Sequence, residues 1–209
     1  MRKRSCLLPA IGAVATLAIG AAMACSGSDC VPRTWDLRTL DWFAAQHSPA
    51  LDAMFTTITW LGSLWLLLPL ALALIATLAV RGHAAVAARF AAAFGGAIAI
   101  SYSAKFWVGR ERPPALESLV AMPADPSFPS SHAMQITAFG LAMAWMLAPI
   151  PQRRIWLTLA ISAILLVGLS RLYLQVHFPS DVLAGTAAAA LWCYAFAKTN
   201  HTPEQQQHA

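Results

Sequence analysis

Charge is what this sequence has least of. Of its 209 residues, 11% are Asp, Glu, Lys or Arg, against roughly 25% in soluble chains. That shortage excludes an ordinary water-soluble domain, and with 58% hydrophobic residues most of the chain is expected to face lipid. Residues 53–80 contain no charged side chain at all. Internal repeats are absent, and so are cysteine or carboxylate clusters with metal-ligand spacing. The net charge is +5, yet no basic stripe or stacking platform accompanies it, so nucleic acid is not an expected partner. Of the four cysteines, Cys6 and Cys193 fall in apolar runs and read as packing residues. Cys25 and Cys30 fall in a polar loop, free or paired; an extracytoplasmic loop favours a disulfide.

What is present is a series of membrane-length apolar runs. Residues 1–24 open with Arg2, Lys3 and Arg4 and then turn apolar. They form a retained first membrane helix, the reading we favour, or a signal peptide cleaved after residues 22–24. Residues 25–56 are polar, with an amphipathic stretch through Leu37, Leu40, Trp42, Phe43, Leu51, Met54 and Phe55. It fits a helix in the membrane interface, or a loop packed on helix ends. Trp35, Trp42 and Trp60 suit headgroup depth. Residues 57–197 are expected to form one membrane-embedded domain, and residues 198–209 a polar cytoplasmic tail. Spans are predicted over 53–80, 84–104, 132–150, 155–170 and 179–197, against the ~20 residues a bilayer needs. The Ala-rich stretches at 84–99 and 184–190 read as helix-packing faces.

Basic residues set the orientation. With the N-terminus inside and six spans, Arg2, Lys3, Arg4, Arg81, Arg89, Arg153, Arg154 and Lys198 all lie on the inner side. Three polar clusters then converge on the outer face, at residues 105–113, 128–132 and 170–181. Together they supply one Lys, three Arg and two His, with an Asp and serines. Lys105 and Arg112, seven apart, would share a helix face before Pro113 and Pro114 stop it. Lys offers a point charge and Arg a planar fork for phosphate oxygens, although basic residues at a membrane edge also snorkel to headgroups. Ser130 or Ser131 would cap the following helix, whose free N–H groups form an anion site beside His132. His177 precedes Pro179, a favoured first-turn residue, and Asp181 can reach back to it. A carboxylate on one imidazole nitrogen leaves the other free to attack; a His–Asp hydrogen bond without chemistry is the alternative. Ionisable groups gathered at one membrane level favour function.

The three clusters resemble the signatures of the type 2 phosphatidic acid phosphatase superfamily, which also contains bacterial acid phosphatases and vanadium haloperoxidases. Those signatures read K-x6-R-P, P-S-G-H and S-R-x5-H-x3-D. Here they are met by Lys105 with Arg112 and Pro113, by Pro129, Ser130, Ser131 and His132, and by Ser170, Arg171, His177 and Asp181. The resemblance covers about residues 50–197. Ser131 departs from the pattern, standing where the family has Gly; its backbone N–H survives, and its side chain narrows the pocket.

The resemblance implies an all-α integral membrane helical bundle with a phosphatase/haloperoxidase-like core. It has six transmembrane helices, or five if residues 1–24 are cleaved. It also implies a phosphatase that needs no metal and no cofactor. His177 would attack phosphorus, Asp181 would orient it, and His132 would protonate the leaving oxygen. Lys105, Arg112, Arg171, Ser130 and Ser131 would hold the phosphate; Arg110 is an additional contact or a headgroup-facing residue. The implied partner is a lipid phosphate or diphosphate in the bilayer, reached from the periplasmic face of a bacterial inner membrane. Analogy with small six-span members favours undecaprenyl diphosphate. Phosphatidylglycerol phosphate, phosphatidate and diacylglycerol diphosphate are the other lipid candidates. A lipid phosphotransferase would use the same phosphohistidine. A lipid or anion transporter would instead place its charges near span centres, and here they lie at span ends.

Overall fold

Proline, glycine and serine mark several of the helix ends, at Ser48 with Pro49, Ser63, Gly109, Ser130 and Pro179. In the computed structural model, which describes residues 4–25, 30, 32–114 and 119–197, all described secondary structure is helical. Helix α1 is Arg4–Ala24, α2 Thr34–Ala44, α3 Pro49–Ile58, α4 Leu64–Val80, α5 Ala84–Val108, α6 Ser131–Ala142, α7 Arg153–Tyr173 and α8 Pro179–Ala197. The tail 198–209, with Lys198, lies outside the described residues, as do Arg2 and Lys3. Cys25 and Cys30 form a disulfide, and Cys193 is a buried packing residue.

Helix α6 lies at the centre, packed against α5, α7 and α8, while α1 runs along α8. The principal core gathers Phe90, Phe94 and Ala97 of α5, Ile136 and Leu141 of α6, Val167 of α7 and Cys193 of α8. Small residues let these helices approach closely, which is how lipid-embedded helices gain packing without a hydrophobic drive between them. The outside is strongly apolar: Trp65, Phe106 and Trp107 are 86–90% exposed. A surface of that kind belongs against lipid, not water. Four helical segments are long and apolar enough to cross a membrane: Pro49–Val80, Ala84–Val108, Ile150–Tyr173 and Pro179–Ala197. The chain is a multi-pass membrane protein. The other two expected spans are shorter: an apolar helix at Ala10–Ala24, and α6 continued by a π-helical turn, Met143–Leu147.

Three expectations change. The uncharged run 53–80 is not one helix: a 3-10 turn, Thr59–Gly62, breaks it, and Ser63 caps α4 by accepting from the Trp65 N–H at 3.2 Å. The amphipathic stretch divides into α2 and α3, because Ser48 caps a new helix that opens with Pro49. Both helices pack on α7, burying Leu40 and Phe43 and leaving Trp42 to the outside. Most consequential, Arg112 is not helical. Helix α5 ends at Val108, and Gly109, at φ 60°, adopts the left-handed conformation that Gly takes without a Cβ penalty. The chain therefore turns out of the helix three residues before Arg112.

Candidate active site

Lys105, Arg112, Ser131, His132, Arg171 and His177 line one cavity of about 230 Å³. They come from the last turn of α5, the loop beyond it, the first turn of α6, the last turn of α7 and the α7–α8 loop. All three sequence clusters therefore meet at one end of the bundle. Ser63, Leu64, Trp65, Tyr102 and Gln135 complete much of the wall.

Asp125 was not legible as a site residue, and it sits among the cations. Its carboxylate accepts from Arg112 Nη2 at 2.8 Å and lies 3.0 Å from Lys105 Nζ. Its backbone carbonyl accepts from Arg112 Nε at 2.8 Å, and Lys105 also donates to the carbonyl of Pro126. Partial burial raises the affinity of this carboxyl for its proton. Lys105 and Arg112 outweigh that effect and hold it below its ordinary 3.8. Arg112 Nη1 bonds the Val176 carbonyl at 2.7 Å and reaches 3.3 Å from His177 Nε2. Arg171 is aimed by Thr59, whose hydroxyl accepts from Nη1 at 2.7 Å. Thr59 carries no sequence signal for that role; it arrives through the 3-10 turn.

A guanidinium can only donate, so His177 Nε2 accepts and the ring proton belongs on Nδ1. Nδ1 lies 3.5 Å from Asp181 Oδ2, at the limit of hydrogen-bond reach and without hydrogen-bond geometry. The predicted His177–Asp181 pair is present as a close electrostatic contact. His177 is 2% exposed. Burial first, then Arg171, Arg112 and Lys105, push its pKa well below the ordinary 6.5. The ring therefore stays neutral at physiological pH, with its Nε2 lone pair available at the pocket.

Ser130 is the N-cap of α6: its hydroxyl accepts from the Ala133 N–H at 3.5 Å. The predicted cap is therefore Ser130, which is fully buried and does not line the cavity. Ser131 does line the cavity, with its hydroxyl 2.9 Å from that of Ser101. Arg110 is a correction too. It does not line the cavity of His132 and His177 and does not face the headgroups, but is fully buried and paired with Asp36 at 2.9 Å and Asp181 at 2.5 Å. Asp36 did leave a trace in the sequence. It occupies one stripe of α2 with Leu40 and Phe43, at spacings of four and three, and all three are buried. An acidic residue on an apolar stripe calls for a buried partner.

Two histidines and three cations therefore face one cavity in a membrane-embedded helical bundle. The sequence model of the PAP2 superfamily matches residues 86–204, more than half of the chain, and the chain belongs to that superfamily. Over 94 residues it is 40% identical to decaprenylphosphoryl-5-phosphoribose phosphatases from two strains of Mycobacterium tuberculosis. That match spans 44% of this chain and 49%, about half, of those relatives. The fold is similar to the crystal structure of a transmembrane PAP2-type phosphatidylglycerolphosphate phosphatase from Bacillus subtilis. The TM-score is 0.80 at 25% identity, over 96% of this chain and 97% of that one. Aquifex aeolicus LpxE shares the fold with a TM-score of 0.64 at 21% identity, over 79% of this chain and 96% of its own.

Proposed function

We propose that this protein is a membrane lipid phosphatase that removes phosphate from a lipid headgroup at the outer face of the cytoplasmic membrane through a phosphohistidine, with no metal. The observation that carries the reading is the meeting of His177, His132 and three cations in one cavity at the end of the bundle. His177 Nε2 attacks phosphorus; the P–N bond forms as the P–O bond to the leaving group breaks. His132, protonated once the phosphate anion sits among the cations, gives that proton to the departing oxygen and then takes one from the water that cleaves the P–N bond. Lys105, Arg112, Arg171 and the Ser131 N–H hold the equatorial oxygens, and Asp181 offsets the charge on the His177 ring.

The favoured substrate is a polyprenyl phosphate lipid, with undecaprenyl diphosphate first. The 40% identity to a decaprenylphosphoryl-linked phosphatase supports the polyprenyl class. Similarity to a phosphatidylglycerolphosphate phosphatase along nearly the whole chain keeps glycerophospholipid phosphates as a second reading.

The test is phosphate release by detergent-purified protein, with EDTA present, across a panel of polyprenyl and glycerophospholipid phosphates. Preference for the polyprenyl lipids is expected, and His177→Ala should abolish turnover while the protein stays folded. Near-normal turnover in that variant overturns the covalent route. Phosphate appearing on an added lipid acceptor, and not in solution, would make the protein a transferase.

A further inference from the structure

Helix α2 lies outside the helices that form the pocket, yet one of its side chains reaches the group behind the nucleophile. Asp36 accepts from Arg110 Nη2 at 2.9 Å, from the Ser180 N–H at 3.0 Å and from the Ser180 hydroxyl at 2.8 Å. Arg110 Nη1 donates to the Ser180 hydroxyl at 2.8 Å and to Asp181 Oδ1 at 2.5 Å. The other oxygen of Asp181 accepts from the Phe178 N–H at 2.9 Å and faces His177 Nδ1. The Phe178 ring packs 4.1 Å from the guanidinium. Asp36, Arg110 and Asp181 are all fully buried.

We propose that Asp36 is a positioning residue of the active site, acting on His177 through Arg110 and Asp181. Resting on the phosphohistidine reading above, the argument has a geometric part and a charge part. Geometrically, Asp36 grips the first turn of α8 at Ser180 and orients the guanidinium that holds Asp181 Oδ1. Electrostatically, two ionised carboxylates around one guanidinium leave one net negative charge. With Asp36 neutral, Arg110 would cancel Asp181 and the group behind His177 would carry none. When His177 takes phosphorus its ring becomes positive, and in a water-excluded site an uncompensated ring charge raises the barrier. Asp36 does not line the pocket, so its effect is expected in turnover and not in substrate binding.

The experiment compares full-length Asp36→Asn, Asp181→Asn and the double variant in detergent, with phosphate release from the preferred lipid and acid-quenched capture of the phosphoenzyme. Asn keeps the shape and one acceptor and removes the charge. Asp36→Asn should lower kcat by about 10- to 100-fold, the range outer partners of metal-ligating histidines carry. KM should stay within about twofold, and phosphoenzyme formation should slow by the same factor as kcat. In the Asp181→Asn background the second change should add less than about twofold, because both act along one line. Asp36→Glu should recover part of the loss. If Asp36→Asn does not fold, Ser180→Ala keeps all three charges and loosens the grip, and should lower kcat modestly at constant KM. A folded Asp36→Asn with unchanged kcat, or losses that multiply independently of Asp181→Asn, overturns the proposal. An inactive wild type overturns the phosphatase reading instead.

Discussion

The Asp125 carboxylate stands on Lys105 and Arg112, two of the three cations proposed to hold the phosphate. A bound phosphate must share or displace it. Because its pKa is held below 3.8, it stays ionised through neutral pH, and its contribution is lost only as pH falls below that value. Asp125→Asn removes the competing charge, so orthovanadate should inhibit phosphate release at a several-fold lower concentration than in the wild type. Weaker inhibition would mean that Asp125 organises the cations and does not compete for them. At this scale the sequence identified Lys105, Arg112, Ser131, His132, Arg171 and His177, which the fold brings to one cavity. It misassigned Arg110, since nothing in a local run of Arg, Glu and Arg tells which guanidinium turns inward. Asp36, more than seventy positions earlier, decides that.

Among the elements, the 3-10 turn Thr59–Gly62 does most for the site relative to its size. It delivers Thr59 to Arg171, and its Gly62 lies directly against α6 and α7. A Cβ on Gly62 would stand 2.6 Å from Val167 Cγ1 and 3.1 Å from both the Cβ and the carbonyl oxygen of His132. Gly62→Ala therefore overpacks this contact, at a cost of about 1–3 kcal/mol. A lower Tm, accompanied by a lower kcat because His132 must move, is the expected outcome. An unchanged melt would show that the turn yields without disturbing α6. The sequence placed α8 correctly, since Pro179 announces its start, but not this turn: in a run without charge, periodicity alone does not reveal a break. Gly109 shows the same limit. Spacing of seven implied one helix through Lys105 and Arg112, whereas the left-handed Gly109 sends Arg112 into the site along a loop.

For the whole molecule, α5 spans 25 residues, about 37 Å at 1.5 Å per residue, against a ~30 Å hydrocarbon core. If α5 starts at one interface, its length is expected to carry its last turn, with Lys105, to headgroup depth at the other, the level of a lipid phosphate. The α4–α5 turn with Arg81 lies at the opposite end of α5. The charge asymmetry predicts the pocket outside and that turn inside. In intact cells a membrane-impermeant maleimide should label Met122→Cys, in the loop beside the pocket, and spare Gly82→Cys; the reverse pattern would invert the topology. The apolar belt of Trp65, Phe106 and Trp107 agrees with a lipid-facing position for the pocket end of α4 and α5.

By itself the sequence determined that this is a helical membrane protein, where most helices run, and six of the side chains that line the pocket. Those properties are carried by composition, apolar run length and residue spacing, all local or additive along the chain. The tertiary structure alone decided that Asp125 sits on the pocket cations, that Thr59 aims Arg171, and that Arg110 joins Asp36 to Asp181 behind the nucleophile. Each of these is a pairing between distant positions. Its geometry depends on how close the packed helices bring two polar groups that burial leaves no other way to satisfy.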